Sequence, residues 1–143
     1  MNSLLVAVAP KWEERLCELL ARRGHIFTVI NDLREIDTTL EQREYSLAFV
    51  GVGEAVEEAI EICRRLRTVS RTKSLQILAC GDRFPPDKVQ TFLLAGIGDC
   101  LTDWENNAEL ELRLTLAEFR ASMLHDSTVI GRSEAESGDN EIS

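Results

Sequence analysis

Cysteine and histidine side chains are the groups of this chain best suited to bind a metal ion or to act as a nucleophile. The 143 residues include four cysteines and two histidines: Cys17, Cys63, Cys80, Cys100, His25 and His125. Zinc sites usually use cysteines or histidines that are paired a few residues apart. No two of these cysteines form a C-x-x-C pair and each histidine stands alone. The spacing therefore predicts neither a metal site nor a cofactor.

A second chemical candidate is the turn Gly51-Val52-Gly53, because glycine-rich turns between a strand and a helix can hold a phosphate group. The G-x-G-x-x-G pattern is incomplete here. Glu54 and Glu57 would also put negative charge in the first helical turn, where a phosphate would bind. A tight strand-to-helix turn explains both glycines, and we prefer it to nucleotide binding.

The composition is strongly acidic. There are 25 Asp and Glu residues against 16 Lys and Arg, a formal net charge of −9, which argues against a module that binds nucleic acid by neutralising phosphates. The length fits one domain that buries its core without disulfides or metals. No apolar run reaches the ~20 residues that a membrane span needs, and the start of the chain does not resemble a signal peptide. We expect a cytoplasmic domain with reduced thiols.

Short apolar runs alternate with longer amphipathic segments over the first 120 residues, as in a parallel α/β sheet. Near-continuous apolar runs suit strands that are covered on both faces. The predicted strands are 4–9, 25–30, 47–52, 75–80 and 100–101.

Apolar residues at helical spacing predict a helix after each of these strands. Gly24 marks the end of the first helix, Asn31 or Asp32 caps the second, and Pro85 with Pro86 begins the fourth. The third helix is indicated by Ala55, Val56, Ala59, Ile60, Cys63 and Leu66.

The fifth helical segment, from Glu109 to Phe119, is ambiguous because its leucines alternate as they would in a strand. A helix is favoured, since its residues are good helix formers and asparagines at 106 and 107 offer a cap. Such a helix has two apolar stripes, one formed by Leu110, Leu114 and Ala117 and a second formed by Leu112, Leu116 and Phe119.

Apolar periodicity ends at about residue 121, where the sequence becomes rich in serine and glutamate. Segments of this composition bury too little apolar surface to fold by themselves. We expect a folded domain over residues 1–121 and an acidic flexible tail or truncated linker over 122–143.

Three stretches of the sequence resemble the receiver domains of bacterial response regulators. They are LCELLARRG before the second strand, YSLAFVGV with AIEICRRLR around the third, and AGIGDCLTD near the fifth. The last resembles the family's A-G-A-D-D-Y-L-T-K-P at Ala95, Gly96, Asp99, Leu101 and Thr102. The resemblance covers residues 4 to about 120. It implies a flavodoxin-like α/β fold, a doubly wound five-stranded parallel sheet in the order 2-1-3-4-5 between two layers of helices.

The family transfers a phosphoryl group to an aspartate at the end of the third strand, with help from a magnesium-binding acid pair, a hydroxyl and a lysine. The matched stretches put the acid pair at Ala7 and Val8, within one residue. They put the phospho-acceptor at Gly51, the hydroxyl at Cys80 and the lysine at Asp103. None of these positions has the residue type that the chemistry needs. The resemblance therefore implies a pseudo-receiver, and the family's switching aromatic residue is replaced by Cys100.

Cys80 and Cys100 fall on strands that this fold makes neighbours, so their Cα atoms could come within reach of a disulfide. A redox switch is one interpretation. The preferred one is that both are small buried apolar residues, because cytosolic thiols usually stay reduced.

Acidic residues are present at the rim of the predicted sheet, at Asp32, Asp82 and Asp103. The strand order separates Asp32 from Asp82 by three strands, roughly 14 Å. Only Asp82 and Asp103 would be neighbours, and two carboxylates make a poor magnesium site. We expect that acetyl phosphate with magnesium does not label the protein.

The second apolar stripe of the fifth helix is the positive clue to function. In the receiver family the face formed by the fourth helix, fifth strand and fifth helix is a usual dimer or partner surface. Exposed apolar patches commonly mark contacts, although some of these side chains could belong to the core instead. The predicted face consists of Phe92, Leu101, Trp104, Leu112, Leu116 and Phe119.

The sequence thus predicts a phosphorylation-independent receiver-like domain that signals through a protein partner or a homodimer, and that is not an enzyme. One alternative is a small-ligand sensor at the vacated rim, around Ala9, Gly51, Gly81 and Asp103. Another is the N-terminal regulatory domain of a larger transcription regulator or kinase.

Overall fold

The computed structural model describes residues 1–69 and 74–137, with side chains as far as residue 124. Five parallel strands form one sheet in the order β2-β1-β3-β4-β5, which confirms the predicted fold. They are β1 (Asn2–Val6), β2 (Ile26–Ile30), β3 (Leu47–Gly51), β4 (Gln76–Cys80) and β5 (Asp99–Leu101).

Helices follow each strand and cover both faces of the sheet. They are α1 (Pro10–Arg22), α2 (Ile36–Gln42), α3 (Val56–Val69), α4 (Val89–Leu94) and α5 (Asn107–Ser137), with single 3-10 turns before α2 and α4. Several predicted helix ends are confirmed. α1 ends at Arg22, and the predicted Gly24 follows it with φ +81°, a conformation that favours glycine. Asp32 accepts a hydrogen bond from the Arg34 N–H at the turn before α2, and Asn106 caps α5 by accepting from the Glu109 N–H.

The sheet separates two apolar clusters, because successive side chains of a strand point to opposite faces. Leu5 of β1, Phe49 of β3 and Leu78 of β4 are in register and belong to the cluster covered by α1 and α5. Their neighbours Leu4 and Ile77 belong to the other cluster, which α2, α3 and α4 cover.

The first strand differs from its prediction. β1 ends at Val6, whereas the apolar run suggested a strand as far as residue 9. Ala7 has φ +53°, so the chain turns out of the strand there and crosses toward β3. The run stays apolar because Val8 and Trp12 enter the α1–α5 cluster from the loop and the helix.

The fifth helix confirms one apolar stripe and extends further than predicted. Leu110, Leu114 and Ala117 are buried against the sheet, and Ala121 is the last buried residue of this stripe among the side chains described, which end at residue 124. α5 nevertheless continues to Ser137, so the helix end predicted near Phe119 is wrong. Helix formation is cooperative, and a helix nucleated by packing can propagate where no proline interrupts it. Residues 138–143 lie outside the described part, and the division of the chain at 121 stays a prediction.

Within the described ranges, none of the helices combines the length and the apolarity that a bilayer span demands.

Candidate functional site

The carboxyl ends of β1, β3 and β4 bring together four positions at which the receiver chemistry was sought. Ligands of doubly wound sheets bind beyond these strand ends. Gly51 and Cys80 are paired across β3 and β4, and the backbone of Ala7 and Val8 crosses directly beside Gly51. The matched sequence stretches therefore selected positions that are neighbours in space.

The position of the phospho-acceptor, Gly51, is closed by backbone. A Cβ atom placed on Gly51 would lie 2.7 Å from Val8 Cα and 2.8 Å from the Ala7 carbonyl carbon, and closer still to the Ala7 oxygen. Real Cβ atoms essentially never approach other heavy atoms this closely. The β1–α1 loop therefore occupies the space in which any side chain at residue 51 would begin.

Ala7 makes this crossing possible through its backbone conformation. Its φ of +53° lies in the left-handed region, which costs an L-residue about 1–2 kcal/mol. The Ala7 N–H still donates to the Ile30 carbonyl at 2.9 Å, so the ladder with β2 continues for one residue while the carbonyl turns toward Gly51. The β1–α1 loop, where the receiver family has its acid pair, therefore fills the space beside Gly51 with its own backbone.

Cys80, at the position of the hydroxyl, is fully inside the core. It belongs to the α1–α5 cluster, and burial, followed by the nearby Cys100 and Cys63 thiols, raises its pKa well above the ordinary value. Its carbonyl oxygen accepts a hydrogen bond from the Val52 N–H at 2.8 Å. The thiol is therefore a packing group at the end of β4.

Cys80 and Cys100 lie on adjacent strands, as expected, but on opposite faces of the sheet. In the β4–β5 register Cys80 pairs with Leu101, and Cys100 pairs with Ala79. Because side chains alternate along a strand, an offset of one residue sends the two thiols to different sides. Cys80 belongs to the α1–α5 cluster, and Cys100 packs against the cluster that α2, α3 and α4 cover. The interpretation of this pair as a disulfide switch is therefore wrong.

The rim acids do not converge. Asp32 pairs with the Arg34 guanidinium at 2.8 Å, and Asp82 pairs with the Lys11 ammonium at 2.6 Å. Asp103 accepts a hydrogen bond from the Glu105 N–H at 3.1 Å. Among the residues that the structure describes, no group of three or more His, Cys, Asp or Glu side chains could hold a metal ion.

An open cleft of about 520 Å³ lies at the same rim. It is bounded by the loops after β1, β3 and β4, and its walls include Ala9, Trp12, Val52, Asp82 and Pro85. Of the positions named for a vacated rim, Ala9 and Gly81 border this cleft, whereas Gly51 and Asp103 do not. The Lys11 ammonium lies 5.6 Å from the ring centroid of Trp104, over the neighbouring β5–α5 loop.

The predicted partner face is divided between core and surface. Phe92 is 1% exposed and Leu101 is 2% exposed, so both are core residues and their assignment to a surface is wrong. Trp104 is half-buried and packs against the α1–α5 cluster. The short helix α4 packs on the sheet through Phe92, its one buried residue. In β5, side chains alternate between the two faces of the sheet, and Leu101 points into the core.

The outer stripe of α5 is exposed. Leu112 is 57% exposed, Leu116 42% and Phe119 62%, and Met123 continues the same stripe at 52%. Sequence reasoning missed Met123, although its spacing of four residues from Phe119 was a visible signal. Leu93 and Leu94 of α4 are also exposed, at the β5 side of the other helical layer.

A buried polar network joins α5 to the amino ends of β1 and β2. Ser3 Oγ lies 2.7 Å from His25 Nδ1, and His25 Nε2 lies 2.6 Å from a Glu118 carboxylate oxygen. Arg23 donates to both oxygens of Glu118, at 2.9 and 2.7 Å, and to Thr115. The Arg23 guanidinium, followed by His25, lowers the Glu118 pKa below its ordinary value. Ser3 is completely buried, so this arrangement of serine, histidine and acid fastens a helix and offers no nucleophile to solvent.

Sequence spacing held no sign of this network, because its members are 22 and 93 residues apart. Only the tertiary packing of α5 brings Glu118 to His25.

Comparisons with known proteins agree on the architecture. No protein-family model and no curated protein sequence matches the chain. A two-component response regulator from Clostridium difficile has a TM-score of 0.71 at 17% identity, over 84% of this chain and 97% of that one. The chemotaxis protein CheY4 of Vibrio cholerae has a TM-score of 0.70 at 20% identity, over 81% and 97%. A Burkholderia pseudomallei response regulator solved with a phosphorylated aspartic acid has a TM-score of 0.66 at 16% identity, over 97% and 86%.

The similarity extends over most of this chain and nearly the whole length of the first two structures. At sequence identities this low, it shows a shared fold. Strand order and helix placement agree with it. This chain has the fold of the receiver domains of response regulators.

Proposed function

We propose that this chain is a receiver-like signalling domain that works without aspartyl phosphorylation and acts through protein contact rather than as an enzyme. The observation that carries the proposal is the closure of Gly51 by the Ala7–Val8 backbone. It adds a steric obstacle to the missing carboxylate, so both the loop path and the residue types support a domain that works without phosphorylation.

The remaining groups at the rim support the same proposal. Phosphoryl transfer to a carboxylate relies on a metal ion and cations that neutralise the charge on the phosphoryl oxygens. Two cations, Lys11 and Arg83, line the cleft, and Lys11 is already paired with Asp82. Asp103 occupies the position of the family's lysine and carries the opposite charge.

The contact surface that we propose is the outer stripe of α5, formed by Leu112, Leu116, Phe119 and Met123. The steps along this stripe are four, three and four residues, which is the spacing of a helix–helix seam. The inner stripe of the same helix already packs on the sheet, so the outer stripe is available without unfolding. Exposed apolar patches of this kind usually mark an interaction site.

The occupant that fits this seam is the same helix of a second copy. A two-fold axis lets one self-complementary stripe serve both partners, and most homo-oligomers are built in this way. The charges beside the stripe favour this arrangement, because Arg113 is neutralised within its own chain by Asp99 at 2.8 Å and by Glu109 at 3.4 Å. Self-association then leaves Arg113 paired within its own chain.

The test combines mass spectrometry with sedimentation. After incubation with acetyl phosphate and Mg²⁺, the intact mass should stay unchanged. Wild-type protein should show a concentration-dependent dimer, and Leu112→Glu should be a monomer with an unchanged circular dichroism spectrum.

The matched control is Leu33→Glu, which puts the same charge on an exposed leucine of the α2 side and should still dimerise. A stable aspartyl phosphate would contradict the first half of the proposal. Equal sedimentation of wild type and Leu112→Glu would contradict the second half.

A further inference from the structure

The strand at one edge of the sheet, β2, has an open side. It stands at the end of the strand order, with β1 as its neighbour. The Ile26 N–H and the Ile30 carbonyl form hydrogen bonds with residues that flank β1, each at 2.9 Å. Backbone groups of successive strand residues point alternately to the two sides of the strand, so Thr28 also bonds toward β1. The N–H and C=O groups of Phe27 and Val29 therefore point away from the sheet.

The sequence of β2 does not protect this open side. Natural sheet edges are usually guarded by a charged residue, a proline, a bulge or a short length. The sequence of β2 is IFTVI, without charge, proline or glycine, and its register with β1 is unbroken over all five residues. The opposite edge differs, because β5 has three residues and its Asp99 forms an ion pair with Arg113 at 2.8 Å. The sheet thus has one protected edge and one that can accept a further strand.

The side chains of β2 are incompletely covered. Ile26 is 60% exposed, and Phe27, Thr28 and Val29 are half-buried. The strands inside the sheet, β1, β3 and β4, are buried almost throughout. An added strand with apolar side chains would bury the remaining apolar surface of β2.

The order of residues in β2 indicates that a second copy of the same strand is the occupant. From either end, IFTVI begins with isoleucine, continues with an apolar residue and has threonine at its centre. An antiparallel copy related by a two-fold axis at Thr28 places Ile26 opposite Ile30 of the second copy. It also places Phe27 opposite Val29. Cross-strand apolar pairs of this kind stabilise a sheet, and this pairing brings no like charges of β2 together.

The free backbone groups select the same register. In antiparallel sheets, facing residues alternate between pairs that exchange both hydrogen bonds and pairs that exchange none. A two-fold axis at Thr28 makes this residue a pair without mutual bonds, which fits because its backbone groups already bond toward β1. Phe27 of one copy and Val29 of the other then exchange both hydrogen bonds. Side-chain order and backbone direction, which are independent features, therefore agree on one arrangement.

We propose that two copies of this chain associate through β2, in an antiparallel pairing centred on Thr28 that joins their sheets into one continuous sheet. This contact is separate from the outer stripe of α5, so the inference goes beyond the proposed self-association and does not rest on it. A two-fold strand pair closes on itself, because each copy uses the same edge. Since only the five residues of β2 take part, the contact should need protein concentrations at least tenfold above those of the α5 dimer.

Disulfide trapping tests the register. In Thr28→Cys the new thiol faces its counterpart across the two-fold axis with Cα atoms about 4.5 Å apart, within the range of a disulfide. Mild oxidation should link this variant into a covalent dimer, and peptide mapping should place the bridge at residue 28. Ile26→Cys is the matched control, because Ile26 is more exposed but lies about 13 Å from its counterpart along the strand. It should be cross-linked at least fivefold less. Both changes are made in Leu112→Glu, which removes the α5 contact.

Sedimentation tests the association itself. Leu112→Glu should form a dimer when its concentration is raised at least tenfold above that of the α5 dimer. Ile26→Lys, added to this variant, should abolish that dimer, because it places a charge beside Ile30 of the second copy. Leu94→Lys makes a similar change at an 81% exposed leucine of α4 and should leave the dimer intact.

Amide hydrogen exchange tests the backbone pairing. The N–H groups of Phe27 and Val29 should exchange at least fivefold more slowly in concentrated Leu112→Glu than in dilute protein. The Thr28 N–H, which bonds toward β1, should exchange at the same rate in both.

Three results would overturn the proposal. They are equal cross-linking of Thr28→Cys and Ile26→Cys, exchange at Phe27 and Val29 that does not depend on concentration, and equal association with and without Ile26→Lys. The last two do not require Thr28→Cys to fold. A wild-type α5 dimer without any cross-link at residue 28 contradicts this inference alone. A cross-link at residue 28 together with equal sedimentation of wild type and Leu112→Glu contradicts the α5 contact alone.

Discussion

The Cα atom of Val8 lies against the face of Gly51 from which a side chain would project, 2.7 Å from the place of a Cβ atom. The loop after β1 and the end of β3 are therefore packed backbone against backbone. A glycine at residue 51 is a steric requirement of this loop path, and restoring an acid there would disturb the fold before it could restore chemistry.

We predict that Gly51→Asp does not become phosphorylated and that it destabilises the domain. Forcing a side chain into this contact displaces backbone, and overpacking typically costs about 1–3 kcal/mol. The free energy of unfolding from urea denaturation, and the intact mass after acetyl phosphate treatment, measure both effects.

Gly53→Asp is the control for this prediction. A Cβ atom at Gly53 meets nothing within 4 Å and the residue is exposed, so its stability should stay within about 0.5 kcal/mol of wild type. Equal stability of the two variants would show that the Ala7–Val8 loop moves freely away from Gly51.

The ion pair between Glu118 and Arg23 should make the stability of the domain depend on pH. The Glu118 pKa is lowered from its ordinary 4.5, chiefly by Arg23. A lowered pKa contributes stability that is present above pH 4.5 and is lost as the pH falls through the lower native value. Glu118→Gln should therefore be about 1–3 kcal/mol less stable at pH 7, and its difference from wild type should shrink below pH 4.5.

Urea denaturation at a series of pH values measures this dependence. Glu111→Gln is the matched control, because Glu111 reaches the same arginine only at 3.5 Å and is half-exposed; its effect should be under about 0.5 kcal/mol. A difference for Glu118→Gln that stays constant from pH 7 to pH 3 would be inconsistent with titration of the Glu118 carboxyl.

The four cysteine thiols should differ in reactivity according to how exposed they are. Burial raises the Cys63 pKa to about 12 and the Cys80 pKa well above its ordinary value, so neither forms appreciable thiolate at pH 8. Cys17 and Cys100 are half-buried and should be alkylated first by iodoacetamide, with all four modified in urea. Peptide mapping after peroxide treatment should reveal no bridge between Cys80 and Cys100; finding one in folded protein would contradict the β4–β5 register.

Phe92 and Phe119, which the sequence analysis placed on one surface, should differ strongly in how much their truncation destabilises the domain. Phe92→Ala removes a buried ring that packs edge-on against Phe84 at 5.6 Å and should cost about 3–5 kcal/mol. Phe119→Ala, measured at a concentration where the chain is monomeric, should change stability by no more than about 0.5 kcal/mol. Thermal or urea unfolding measures the stability of both variants. Similar losses of stability in the two would mean that the outer stripe of α5 is also part of the core.

Some errors of sequence interpretation share one cause. The apolar run at the start of the chain gives no sign of where β1 ends, because Val8 and Trp12 stay apolar for a different contact after the turn at Ala7. In the same way, Phe92 and Phe119 both sit at helical spacing among leucines, and periodicity alone does not tell which stripe faces the sheet.

The amino-acid sequence by itself determined the order of strands and helices, the apolar faces that make them pack, and the absence of acids at Ala7, Val8 and Gly51. These are properties of residues close in the chain, where side-chain periodicity and local caps act. Only the tertiary structure decided that Ala7 and Val8 fill the space beside Gly51, that Cys80 and Cys100 face opposite sides, and that Glu118 reaches His25. Those contacts depend on loop path and strand register, which arise when segments far apart in the chain pack together in three dimensions.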